Sequence, residues 1–279
     1  MTGTVLGVAG VGLIGGSIAL RAHAAGATVI GFDRDAAALA AAAAAGAIEA
    51  TAPSLAELAQ MCDIVAIALP VDVTAEVLAT TPELDRPELV FDVASVKAPI
   101  VAAAAERTHF VASHPLAGRE TGGFAAADAA LFDGCVWALA PARDAAAQAR
   151  LERLIATLGA RPLVIAAADH DRLVAVSSHL PQLVSVALGA ELAAAGDADR
   201  RVYDLCGPGM RSMLRLAASD AALWAPIAQA NATSVAEALE ALAAALQTMA
   251  GGLRAGDLAP LLAAFENAHR ALPFTAPKR

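Results

Sequence analysis

Hydrophobic and polar positions along this chain change rhythm several times, and each change predicts an element. Thr4 to Ala9 is a short apolar run of strand length, Ile14 to Ala25 carries helical spacing, and Thr28 to Phe32 again reads as a strand. The alanine-rich stretch Ala36 to Ala45 predicts a helix, and Ser54-Leu55-Ala56-Glu57 has the capping-box spacing that opens another. Ile64 to Leu69 is apolar at every position, as a parallel strand buried on both faces should be, and Pro70 stops it. Leu89 to Phe91, His109 to Ala112, Cys135 to Leu139 and Arg161 to Ile165 are further strands, the last two expected to complete the same sheet. Helices are expected to open at Pro99 and to fill Ala145 to Leu158. Beyond residue 166 strand-like runs vanish and Ala/Leu helical periodicity dominates to Ala271, with breaks expected at Gly196-Asp197, at Cys206 to Gly209 and at Gly251-Gly252. The pattern predicts an α/β domain over residues 1–166 followed by an all-α domain over 167–279, whose Leu/Ala seams can pack on each other or on a second subunit.

The first strand, helix and strand carry a chemical signature. Gly10, Gly12 and Gly15 have the spacing G-x-G-x-x-G between strand and helix. The first glycine allows the tight turn, the second lets backbone approach a pyrophosphate, and the third lets helix and strand pack closely, with the helix N-terminus aimed at the phosphates. Gly10, Gly12, Leu13, Ile14 and Gly15 are therefore the expected cofactor loop of a Rossmann-type fold, joined by Leu69 and Pro70 at a neighbouring strand end. Asp33 closes the second strand, where a carboxylate accepts from a ribose 2′-hydroxyl and repels a 2′-phosphate, so NAD is favoured over NADP. Arg34 beside it is the residue that would hold that phosphate if Asp33 turned away.

Composition narrows the classes. Much of the 58% hydrophobic content is alanine, no apolar run is expected to reach the roughly 20 residues of a membrane span, and MTGTVLG has no basic n-region before the first strand. Cys62, Cys135 and Cys206 are too far apart for a disulfide framework or a C-x-x-C metal pair, so the compartment is expected to be cytoplasmic and no metal is expected. A net charge of −9 argues against nucleic acid or an anionic membrane as partner. An anionic small-molecule substrate would then need local arginines.

Among six histidines, His23 and His269 read as surface or helix-end residues and His109 as a strand start. His114 ends a strand, precedes Pro115 and opens a loop holding Gly118, Gly122 and Gly123, which makes it a candidate base at the cofactor edge. His179 lies in Ser177-Ser178-His179-Leu180-Pro181-Gln182, a polar cluster in an apolar segment where Pro181 is expected to kink the helix. Arg215, in an apolar stretch, must either snorkel to water or meet an anion. Lys97 and Lys278 are the only lysines, and Ala167 to Leu192 holds none. That disfavours the β-hydroxyacid dehydrogenases, which present a lysine from the helix after the sheet.

Several motifs in order resemble the prephenate and arogenate dehydrogenases of tyrosine biosynthesis. They are Gly10-Val11-Gly12-Leu13-Ile14-Gly15-Gly16-Ser17, Asp92-Val93-Ala94-Ser95-Val96-Lys97, His114-Pro115-Leu116-Ala117-Gly118 with Glu120, Ser178-His179-Leu180-Pro181, and Leu214-Arg215-Leu216-Ala217 with Trp224 and Asn231. The resemblance implies an NAD-binding domain followed by a helical domain that forms a homodimer, and oxidative decarboxylation of a cyclohexadienol. It implies His114 as acceptor of the 4-hydroxyl proton, Ser95 as the residue positioning that hydroxyl beside the nicotinamide, and Arg215 as carboxylate anchor. Ser178 and His179 match the helical side of the substrate pocket. Gln182 stands where many members have a second histidine and Leu214 where many have threonine, so substrate preference is open, and Gln182 is expected to tolerate both prephenate and arogenate. The other readings are another oxidoreductase of this architecture and a non-catalytic NAD sensor.

Overall fold

A computed structural model describes residues 1–119 and 121–275; Glu120 and Lys278, both noted above, lie outside the described residues. The chain opens with β1 (Val5–Ala9), α1 (Leu13–Ala24), β2 (Thr28–Phe32), α2 (Ala36–Ala44), β3 (Ala50–Thr51), α3 (Leu55–Met61) and β4 (Ile64–Ile67). It continues through α4 (Val71–Thr80), β5 (Leu89–Asp92), α5 (Ala98–Ala103), β6 (Phe110–Val111), β7 (Ser113–Pro115), β8 (Val136–Leu139), α6 (Ala145–Thr157) and β9 (Arg161–Val164). Only helices follow among the described residues: α7 (Ala167–Val174), α8 (Leu180–Ala198), α9 (Pro208–Met213), α10 (Ala221–Ala230), α11 (Ala232–Ala255) and α12 (Ala259–Thr275). The chain divides into two compact units, Met1–Ala232 and Thr233–Arg279, so α7 to α10 go with the strands and α11 and α12 form a helical pair.

Six parallel strands lie in the order β3-β2-β1-β4-β5-β6. The chain works outward from β1 to β3, then returns to lay β4 on the other side of β1, and this reversal opens a crevice at the carboxyl ends of β1 and β4. β4 and β5 are buried at every position, which is why their sequences lack alternation. The cap predicted at Ser54 forms, its hydroxyl accepting from the Glu57 N–H at 3.1 Å.

Three local expectations are corrected. β8 and β9 do not extend the main sheet; with β7 they make a second, three-stranded sheet in which β7 runs antiparallel to β8. The cause is at Ser113, whose N–H leaves the ladder for the Asp92 carboxylate at 2.9 Å, so the chain bends between β6 and β7. Gly251-Gly252 do not break their helix, and α8 runs through Gly196-Asp197 to end at Ala198, just past the expected break. Gly196 lies inside α8 because a Cβ there would come within 2.2 Å of the Tyr203 ring, and Gly252 lies inside α11 because one would come within 2.7 Å of the Asp257 carbonyl. Residues 167–198, finally, form one continuous helical stretch long and apolar enough to span a membrane by length and composition, beyond what the sequence reading allowed. Its Asp171, Gln182 and Ser185 are buried and hydrogen-bonded within the fold, the pattern of a helix packed in protein.

Candidate active site

The glycine loop sits at the crevice. Gly10 has φ +90°, and a Cβ there would lie 2.3 Å from the Ala68 carbonyl oxygen. A Cβ on Gly15 would stand 1.8 Å from the Gly10 carbonyl oxygen, whereas one on Gly12 would meet nothing within 4 Å among the described residues. The first and third glycines are thus demanded by the protein, and the second faces open space of the kind a pyrophosphate needs. Gly12 caps α1 with no side-chain bond, leaving the first N–H groups, at Leu13 and Ile14, available to an anion. The Asp33 carboxylate accepts from Val11 N–H at 2.9 Å and from Asp35 N–H at 2.9 Å, which fixes it beside the loop, while Arg34 is exposed. Leu69 borders the loop, 3.1 Å from the Gly10 Cβ position, and Pro70 caps α4.

A buried polar knot ties the tip of β5 to β7. Asp92 and Lys97 pair with side-chain exposures of 0% and 1%, and the Lys97 ammonium also donates to the Ser113 carbonyl at 2.6 Å. Asp92 accepts from the N–H groups of Ala94 and Ser113, and the Trp137 indole donates to the Ser113 hydroxyl at 3.0 Å. Burial works against charge on both partners, pushing Asp92 up and Lys97 down, and their mutual attraction opposes it. Lys97 is therefore an internal brace. Ser95 stands partly exposed between these two residues, and His114 follows Ser113 directly.

The helical segment is joined to this knot through Asp171, which accepts from the backbone N–H groups of Lys97 and Ala98 at 2.7 Å each. His114 Nδ1 lies 3.0 Å from His170 Nε2, and His170 Nδ1 lies 2.7 Å from Asp171 Oδ1. Burial first, then the charge of Lys97 and of the two neighbouring histidines, holds His114 well below the usual imidazole range. A single π-helical turn, Ala175–His179, separates α7 from α8 and places Pro181 in the first turn of α8, where its missing N–H is tolerated. The turn leaves Ser178 exposed and buries His179, whose Nδ1 meets the Asn231 amide nitrogen at 3.3 Å and whose Nε2 has no partner among the described residues. Burial lowers the basicity of His179.

Gln182 is 3% exposed and donates from Nε2 to the Leu216 carbonyl at 2.8 Å, while Ser185 accepts from Ala217 N–H and donates to the Met213 carbonyl. These bonds clamp the turn that presents Arg215 on an open hollow lined by Pro208, Arg211, Ser212 and Ala218. The structure thus gathers His114 and His179 around His170 and Asp171, places Ser95 on the adjacent tip, and sets Gln182 behind the Arg215 turn. His170 and Asp171 were not singled out in the sequence. Their adjacency just after the last strand was the only signal.

The family models described as prephenate dehydrogenase, nucleotide-binding domain, and prephenate dehydrogenase, dimerization domain, match residues 17–164 and 166–267. A probable prephenate dehydrogenase, NovF, of Streptomyces niveus is 34% identical over 254 residues, covering 88% of this chain and 68% of its own. The cyclohexadienyl dehydrogenase of Zymomonas mobilis is 27% identical over 277 residues, covering 95% and 94%. Among solved structures, prephenate dehydrogenase from A. aeolicus in complex with hydroxyphenyl propionate and NAD+ is 23% identical, covers 99% of both chains and has a TM-score of 0.90, a likeness of fold.

Proposed function

The chain belongs to the prephenate dehydrogenase family, and from that premise we propose that it catalyses NAD-dependent oxidative decarboxylation of prephenate or arogenate in tyrosine biosynthesis. The observation that carries the reading is His114. It lies in β7 beside the tip of β5, has one ring nitrogen committed to His170 and the other left for a ligand, and is kept neutral by burial. NAD, when bound, accepts the hydride that leaves ring C4. The open space at Gly12, the uncapped start of α1 and the Asp33 carboxylate fit its pyrophosphate and ribose.

His114 takes the 4-hydroxyl proton as that hydroxyl becomes carbonyl-like, and Ser95 positions the oxygen. Arg215, a planar fork on an open hollow, anchors a substrate carboxylate. Ser178 and His179 line the helical side, His179 offering its buried, unpartnered Nε2. Aromatisation of the ring drives departure of the carboxylate as CO2. Residues 1–166 serve the cofactor and 167–279 the substrate and a homodimer, a division supported by the two family models meeting at 164 and 166. The setting is the cytoplasm.

Initial rates of NADH formation with prephenate, arogenate and a panel of 3-hydroxy acids test the reading. Turnover of either cyclohexadienol with none of the hydroxy acids is expected. Turnover of the hydroxy acids alone would overturn it.

A further inference from the structure

We propose that His170 and Asp171 set the tautomer of His114, so that its Nε2, the nitrogen left for substrate, is the bare one. The inference rests on the role of His114 given above, and His170 and Asp171 act as positioning residues. Both Asp171 oxygens already accept from fixed donors, Oδ1 from Lys97 N–H and Oδ2 from Ala98 N–H. With those bonds in place Asp171 is an acceptor toward His170 as well, so the hydrogen on the 2.7 Å contact belongs to His170 Nδ1. A His170 imidazole that carries its one hydrogen on Nδ1 has a bare Nε2. That nitrogen accepts across 3.0 Å from His114, which places the His114 hydrogen on Nδ1 and leaves Nε2 with its lone pair.

The arrangement is anchored by rigid parts. Asp171 is 5% exposed and His170 2%, and the Asn231 amide holds the Asp171 carbonyl at 2.7 Å. The two imidazole rings meet edge to face, 77° apart, so the chain of bonds runs through ring edges rather than a stack. When His114 Nε2 gains the substrate hydroxyl proton, its Nδ1–H stays bonded to His170 and the His170 Nδ1–H stays bonded to Asp171; no second proton moves. A carboxylate that holds an imidazole base in its productive tautomer has precedent in hydrolytic triads; here a second imidazole lies between the two.

Nitrogen-15 spectra of the labelled holoenzyme near pH 8, where imidazoles are neutral, read the tautomer directly. The expected result is a His114 with protonated Nδ1 and bare Nε2, assigned by its loss in His114→Asn. A His114 carrying its hydrogen on Nε2 overturns the proposal, with no variant of His170 needed. In His170→Leu the preference should be lost and kcat should fall roughly 10- to 100-fold, the scale of one buried donor left without an acceptor. His170→Gln, whose amide oxygen can stand in for Nε2, should recover most of that loss and the tautomer with it. An unshifted tautomer in a folded Leu variant with kcat within about threefold of wild type also overturns it. Failure of the family reaction would show instead as a wild-type enzyme inactive on both cyclohexadienols, whatever the spectra.

Discussion

Lys97→Met isolates the brace beneath the site. In the native chain the Lys97 ammonium meets Asp92 and the Ser113 carbonyl in a place where both side chains are at most 1% exposed. Breaking a buried pair by removing one partner costs about 3–5 kcal/mol. Asp92 keeps the N–H groups of Ala94 and Ser113 as donors, which puts the cost near the lower end, about 3 kcal/mol. At roughly 2–4 °C per kcal/mol for a chain of this order, the thermal midpoint should drop by about 6–12 °C. The sign of the pH dependence follows from Asp92, whose pKa burial raises. The folded variant binds that proton more tightly than the unfolded chain does, so stability is present at low pH and is lost as pH rises above the unfolded value of about 3.9 through the folded one. The deficit against wild type should therefore be smaller near pH 5 than near pH 8. Adding Asp92→Asn, which removes the stranded charge and keeps an acceptor, should recover part of it. Scanning calorimetry at both pH values checks this. A midpoint within about 2 °C of wild type at both would refute the view that the knot holds the site.

Gly12→Val should fold with a normal midpoint and lose NAD binding by isothermal titration, whereas Gly15→Ala, whose Cβ would stand 1.8 Å from a carbonyl oxygen, should be strongly destabilised. With Asp33 fixed beside the loop, NAD should exceed NADP by at least roughly tenfold in kcat/KM, and equal use in steady-state assays would assign the ribose to Arg34. Burial lowers both His114 and His179, so the native state binds fewer protons than the unfolded chain below about pH 6.5; stability should be full above that value and decline as pH falls through it, in melts between about pH 5 and 8. Gln182→Ala should raise KM for prephenate and arogenate alike by loosening the Arg215 turn, and a change in their kcat/KM ratio above about tenfold would make Gln182 the selector instead.

The parts of this molecule that were legible in the sequence are those where one residue type answers one physical demand. Gly10 and Gly15 are glycines because a Cβ collides with backbone, and β4 reads as a continuous apolar run because helices cover both its faces. What was not legible depends on where distant segments meet. Lys97 is one such case, because nothing local reveals that Asp92 and Ser113 enclose it. Gln182 was expected to tolerate both substrates, and only the approach of Leu216 shows that its amide nitrogen is taken. Gly196 and Gly252 looked like helix breaks, yet each makes room for a group that no periodicity registers. His170 was passed over because a histidine early in a helix has no local mark of its contact with His114, which is 56 residues away in sequence.

Replacing the base itself tests the account most directly. His114→Asn should lower kcat on the preferred cyclohexadienol by roughly 10²-fold or more while the NAD dissociation constant stays within about threefold of wild type. An unchanged kcat would contradict the assignment of His114 as the acceptor of the hydroxyl proton.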